Sequence, residues 1–216
     1  MATINYKISA VSVNIWFNKY GDHDHNGLMY IHEKHKPILE YIKLLQNLPE
    51  KVEFTPALNT KRNELITEFG LTGNTIRINE WLPDSKTKAK QPHPLISPLV
   101  LRAAKGDTVK VKLTNEIKNR KVGLHLVGPG ANATNDGTHV GTNASSLIDP
   151  NPTDNSINNK SRTYTWKCDF EDVYVFHDGG DFRGSQSGTN AHGLFGALVG
   201  YLQVRGGQTP KLEIPY

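Results

Sequence analysis

Thr108-Val-Lys-Val-Lys-Leu-Thr114 sets an apolar residue at every second position and a lysine between each pair. Successive side chains of a strand point to opposite faces, so Val109, Val111 and Leu113 turn toward a core while Lys110 and Lys112 meet water. Further along, Tyr164, Trp166, Cys168 and Phe170 share one face, with Thr165, Lys167 and Asp169 on the other. Pro98 to Ala103, Val122 to Val127, Val173 to Phe176 and Leu194 to Val204 read as further short strands, separated by clusters of Gly, Pro, Asn and Asp. From about Leu95 onward this is how an all-β sandwich or barrel reads. The stretch from Gly128 to Arg162 is polar and rich in Asn, Gly and Pro, and reads as a wandering surface connection. Cys168 lies on the apolar face and is expected in the core, neither ligand nor nucleophile.

Ahead of the strands stands a chemical motif. The twelve residues from Asp22 to Glu33 fit an EF-hand calcium loop. Asp22, Asp24 and Asn26 occupy positions one, three and five, and Gly27 occupies the turn position. Leu28 would give its backbone carbonyl, Tyr30 would act through a water, and Glu33 would close the site with both carboxylate oxygens. The segment before the loop, Ile8 to Phe17, alternates like a strand, whereas Ile38, Leu39, Ile42, Leu44 and Leu45 after Pro37 make a helical stripe. Strand, loop and helix together imply a fixed structural calcium ion; the alternative is a solvated Asp/His turn with no ion. Lys61 to Phe69 reads as a short helix and Thr75 to Trp81 as a strand. The expected division is an N-terminal extension over 1–94, packed on a β domain over 95–216.

Length and composition bound the function. A 216-residue chain can bury one substantial core without disulfides, and its single cysteine cannot form an internal one. The formal charge of +4 comes from dispersed lysines, with Lys86, Lys88 and Lys90 as the only short run, which reads as a solvated loop. No interleaving of basic and aromatic residues suggests a nucleic-acid partner. There is neither a transmembrane stretch nor a signal peptide, so the expectation is a cytoplasmic protein with no membrane partner. No nucleophile elbow or two-histidine helix motif points to a hydrolase.

Three histidines lie at strand ends or beside turn glycines: His125 in Gly-Leu-His-Leu-Val-Gly, His177 in Val-Phe-His-Asp-Gly-Gly, and His192 in Asn-Ala-His-Gly-Leu-Phe-Gly. Residues 98 to 109, the His125 strand, Asn135-Asp-Gly137, Tyr164-Thr-Trp166, Phe176-His-Asp178 and His192-Gly-Leu-Phe-Gly-Ala-Leu follow in an order that resembles the first cupredoxin domain of multicopper oxidases. The nearest branch by resemblance is the large bacterial manganese-oxidising type, to which Trp16 to Tyr30 is also similar. The resemblance implies a cupredoxin-like Greek-key β-sandwich. It also implies two His-x-His pairs that join two more from the last domain around a three-copper cluster. His125 matches the first member of one pair and His177 the first of the other, but Val127 and Gly179 stand where their partners should be. A valine or a glycine offers no side-chain ligand, so half of the implied set is absent. No histidine and methionine follow Cys168 at blue-copper spacing.

His125, His177 and His192 remain candidates for one copper or zinc ion, with packing as the alternative role. Asp178 and Asp181 beside His177 form a second oxygen-rich candidate, and His23, His25, His32 and His35 could take a surface metal or titrate near neutral pH. Two functions follow. One is a calcium-binding, non-catalytic cupredoxin protein with a structural, storage or assembly role. The other is a copper-binding part of an oxidase, completed by further cupredoxin domains, other subunits or a homo-oligomer.

Overall fold

The computed structural model describes residues 1–49, 54–71, 75–128, 134–142, 144–151, 160–181, 183 and 187–202. In chain order the strands are β1 (Thr3–Ser12), β2 (Ile15–Trp16), β3 (His23–Asp24), β4 (Leu28–His32), β5 (Leu99–Ala104), β6 (Thr108–Asn115), β7 (His125–Leu126), β8 (Ser161–Lys167), β9 (Val173–His177) and β10 (Phe195–Tyr201). One sheet has the order β4-β1-β6-β8 and the other β5-β10-β9-β7. The pairs β1–β6 and β10–β5 are parallel, and the remaining pairs in these two sheets are antiparallel. The architecture is mainly β and built of two sheets, as expected of a β-sandwich.

Alternation explains the main core. Tyr6, Ile8 and Ala10 of β1, Val109, Val111 and Leu113 of β6, and Tyr164 and Trp166 of β8 pack against Leu101, Phe176 and Leu198 from the facing sheet. Cys168 is fully buried among them, as expected. Phe170 is not: it is 54% exposed, because the strand ends at Lys167 and the chain turns before reaching it.

A second core covers the other face of the first sheet. Val11, Met29 and Ile31 meet α1 (Lys36–Gln46) through Ile38, Leu39, Tyr41, Ile42 and Leu45. Leu44, expected in that stripe, faces outward. β4 is thereby buried on both sides, which is why Leu28-Met-Tyr-Ile31 is a continuous apolar run rather than an alternating one. With β1 and β4 in its first sheet, the sandwich draws two strands from before residue 95 and is not confined to 95–216.

The connecting helices depart further from expectation. The helix expected over Lys61 to Phe69 begins earlier, as α2 (Pro56–Glu68), with Thr55 Oγ1 accepting from Leu58 N. Thr75 to Trp81 forms helix α3 (Thr75–Trp81), not a strand. Its β-branched start suggests period two, but the helical spacing brings Ile78, Trp81 and Leu82 onto the second core, and Leu82 N donates to Ile78 O. The lysine run is no loop but a single turn, α4 (Lys86–Ala89), capped by Ser85. Parts of the long connection after Gly128, and Val204 in the last expected strand, lie outside the described residues. Among the described residues no helix is long and apolar enough to cross a membrane.

Candidate metal centre

β7 and β9 run antiparallel with His125 directly opposite His177, and their ring centroids are 5.3 Å apart. His125 Nδ1 lies 2.9 Å from Asp136 O, and His177 Nδ1 lies 2.9 Å from Asp178 O. A carbonyl oxygen can only accept, so each Nδ1 carries the hydrogen, and in the neutral ring the lone pair sits on Nε2. An imidazole tied by one nitrogen to a carbonyl, with its orientation fixed, is the form in which histidines hold metals.

The two accepting carbonyls are themselves held. Asp178 is fully buried; its Oδ1 accepts from Gly123 N (2.8 Å) and Gly180 N (2.9 Å), and its Oδ2 from Thr189 Oγ1 (2.6 Å). Burial pushes the Asp178 carboxyl above its ordinary range, against the pull of those hydrogen bonds. Asp136 is pushed up by burial too, yet bonds from Thr138 and Ser146 and the nearby His125 bring it below the ordinary value. Its carboxylate collects Thr138 N, Thr138 Oγ1 and Ser146 Oγ, which fixes the turn that presents Asp136 O. Gly137, at φ +81, packs its backbone against Leu124 just before β7 and against Gly179 just after β9. A Cβ at Gly179 would stand 2.3 Å from Gly137 O, so no side chain of any kind fits there. The position that lacks its expected histidine therefore serves backbone packing. Val127 differs: it is 51% exposed, and its N–H donates to Val175 O, so β7 pairing reaches it without enclosing its side chain.

His192 takes another role. Its Nδ1 lies 2.6 Å from Asp24 Oδ2, tying the N-terminal hairpin of β2 and β3 to the sandwich. Among the described residues no group of three or more His, Cys, Asp or Glu could hold a metal ion, so His192 does not join His125 and His177 in one site. Asp181 likewise parts from Asp178: it binds Arg120 and Arg183, which hold its carboxyl low. Neither Asp178's supporting contacts nor the turn at Asp136 is legible in the sequence. Gly123, Thr189 and Ser146 are remote along the chain, and only the short-range Asp136-Gly-Thr138 and Asp178-Gly-Gly180 patterns hint at pinned turns.

The residues of the expected calcium loop are spread along different elements. Asp22 is exposed and accepts from Asn18 Nδ2, Asp24 Oδ1 accepts from Asn26 N, and Asp24 Oδ2 serves His192. Leu28 and Tyr30 are strand residues of β4 with side chains in the main core, and Tyr30 OH donates to Gly123 O. Extended chain rises about 3.3 Å per residue, which carries Glu33 roughly 16 Å beyond Leu28. There Glu33 Oε1 accepts from Thr114 Oγ1, so the structure does not bring it back to the acidic turn. Gly27 answers a packing need, since a Cβ would lie 2.5 Å from Val13 O. His32 and His35 do not titrate near neutral pH: burial lowers both to about 4, with Lys34 nearby adding to the shift.

No protein-family model and no curated protein matches the chain. Similar solved structures include the copper nitrite reductase of Nitrosomonas europaea, at 13% identity and a TM-score of 0.47 over 94% of this chain and 43% of that one. The multicopper oxidase of Pseudomonas thermotolerans is similar at 13% identity and a TM-score of 0.46, over 93% of this chain and 30% of that one. A multicopper oxidase of Campylobacter jejuni has 13% identity and a TM-score of 0.45, over 94% of this chain and 26% of that one. The chain thus spans less than half the length of each of these proteins.

Proposed function

We propose that this chain is a copper-binding cupredoxin module of multicopper-oxidase type, in which His125 and His177 hold the ion and a neighbouring domain or subunit supplies the remaining ligands. The observation that carries this is the pair of facing imidazoles, each with Nδ1 bonded to a backbone carbonyl. Imidazole suits copper, and two such ligands leave coordination positions for a partner to fill. The finer resemblance, to the manganese-oxidising branch, belongs to the same proposal. Bound copper would supply one-electron redox chemistry. The chain's own contribution is to fix both rings in one tautomer, through the turns at Asp136 and Asp178. Reduction of oxygen is assigned to the completed assembly, not to this module alone.

Copper titration of the metal-free protein, followed by calorimetry and electron paramagnetic resonance, tests the proposal. We expect one site with nitrogen hyperfine coupling, weakened at least about 100-fold by His125→Ala or His177→Ala, a loss no smaller than removal of a supporting group causes. Unchanged affinity in both variants would overturn it.

A further inference from the structure

Apart from that centre, a cavity of about 170 Å³ opens between β4, the 3-10 turn at Glu33–His35, Trp81 and the segment leading into β5. Its size is close to the ~150 Å³ cavity known to hold a benzene ring. The wall is largely apolar, with Met29, Ile31, Trp81, Leu95 and Leu99 among its residues. Besides Ser97, whose hydroxyl donates to Pro94 O, three kinds of polar group interrupt it.

The first is His35. It is only 8% exposed, and its Nε2 is buried with no hydrogen-bond partner among the described residues. A buried polar nitrogen left unpaired costs free energy, so such a group calls for an explanation. Ordered water is a poor one, because it needs two to four polar partners, and the rings of Phe69 and Trp81 flank His35 at 6.3 and 6.4 Å. The second is His32, whose ring bonds to the Lys7 carbonyl and stands 5.8 Å from the ring of His35. Both rings are neutral at pH 7; the single N–H of His32 is spent on the Lys7 carbonyl, which leaves His35 as the uncharged N–H donor. The third is a pair of cations: Lys34 and Arg102 also line the cavity, both are solvent-exposed, and neither makes an ion pair among the described residues.

We infer that this cavity binds a small carboxylate with a single-ring apolar tail, the ring against the Met29, Trp81 and Leu99 wall and the carboxylate within reach of His35 and the Arg102 and Lys34 charges. The apolar wall disfavours a fully polar anion such as phosphate, and the orphan donor together with the cations disfavours a plain hydrocarbon. The inference is independent of the copper proposal, since it uses none of the same residues.

Benzoate is the probe, with benzyl alcohol as its uncharged counterpart, titrated by calorimetry and amide NMR into the full chain in the presence of a chelator. We expect saturable one-to-one binding near a Kd of about 1 mM, with shifts at Ile31, His35 and Leu99, and binding of benzyl alcohol about tenfold weaker or worse. His35→Phe keeps the ring volume and removes the nitrogen; it should weaken benzoate about tenfold or more, as loss of a hydrogen bond to a charged group does. Arg102→Gln, at an exposed position that does not threaten folding, should weaken it several-fold, and this variant decides alone if His35→Phe does not fold. Absence of saturable binding up to about 10 mM, equal binding of the two probes, or parental affinity in the variants would each overturn the inference.

Discussion

Two histidine pairs sit in this chain at nearly the same separation: His125 and His177 at 5.3 Å, His32 and His35 at 5.8 Å. Their surroundings give them opposite chemistry. Each ring of the first pair donates from Nδ1 to a carbonyl on a pinned turn, and both are half-buried on the outer face of the second sheet. The second pair is enclosed beside Tyr6, Phe69 and Trp81 and is lowered to about 4. His93 supplies a third case. Its Nε2 donates to Trp81 O and its Nδ1 accepts from Leu95 N, so both nitrogens are spent on the fold. Proximity of two imidazoles therefore says little about metal binding. What each ring does with its other nitrogen says more.

The comparison is broken or sharpened most severely at the two positions beside the first pair that lack a histidine. Gly179→His should cost more than about 4 kcal/mol, since its Cβ would lie 2.3 Å from Gly137 O and backbone would have to move. In a chain of this size that is a fall of roughly 10 °C or more in Tm. Val127→His, at an exposed site two residues from His125 on the same strand face, should change stability by no more than about 0.5 kcal/mol. It should also tighten copper at least about tenfold by adding an imidazole. Thermal melts and copper titrations of the two variants check this. A stable Gly179→His, or a Val127→His with parental copper affinity, would sink the account of the first pair.

How much of this can be read from the chain depends on whether one face of an element meets water. β6 is legible because its lysines mark the solvent side, and the histidine pair because a family resemblance aligns two strands far apart in sequence. β4 is not legible as a strand, for two physical reasons. Buried on both faces, it lacks alternation, and it follows an acidic turn whose spacing happens to suit a calcium loop. α3 reads wrongly as a strand because Thr75, Ile76 and Ile78 carry strand preference while tertiary contact with the second core selects the helix. Asp178 draws notice in the sequence only as a neighbour of His177. Its role as a buried staple between Gly123 and Thr189 depends on contacts that no local pattern encodes.

A smaller effect is expected from a buried histidine as the pH falls. Burial lowers His93 from 6.5 to about 4, opposed by its bond to Trp81 O. The unfolded chain therefore takes up a proton near pH 6.5 that the folded chain refuses until about 4. Stability from this group is complete above 6.5, declines as pH falls toward 4, and is level below. For His93 the window is worth about 3 kcal/mol. Urea unfolding at pH 7.5, 6, 5 and 4.5 should show the decline, and His93→Gln should flatten it by about that amount while costing stability at pH 7.5. An unchanged slope in His93→Gln would mean the ring is charged in the fold, against its acceptance of the Leu95 N–H.

The smallest effect is expected at the acidic turn, where the comparison extends to His192. That ring also uses Nδ1, but on a carboxylate, and the resulting contact with Asp24 is largely enclosed. Asp24→Asn should cost about 1 kcal/mol, the scale of a partly buried charge-assisted bond, and should loosen the hairpin of β2 and β3 from the sandwich. Glu33→Gln should cost less, because among the described residues Glu33 bonds only to the Thr114 hydroxyl, at 3.3 Å. The decisive contrast is calcium. If β4 holds Glu33 away from Asp22 and Asp24, millimolar calcium should raise Tm no more in the parent chain than in Glu33→Gln. A calcium-dependent rise that Glu33→Gln abolishes would require the strand to fold back into a loop. That would return the twelve-residue motif to the role its spacing suggests.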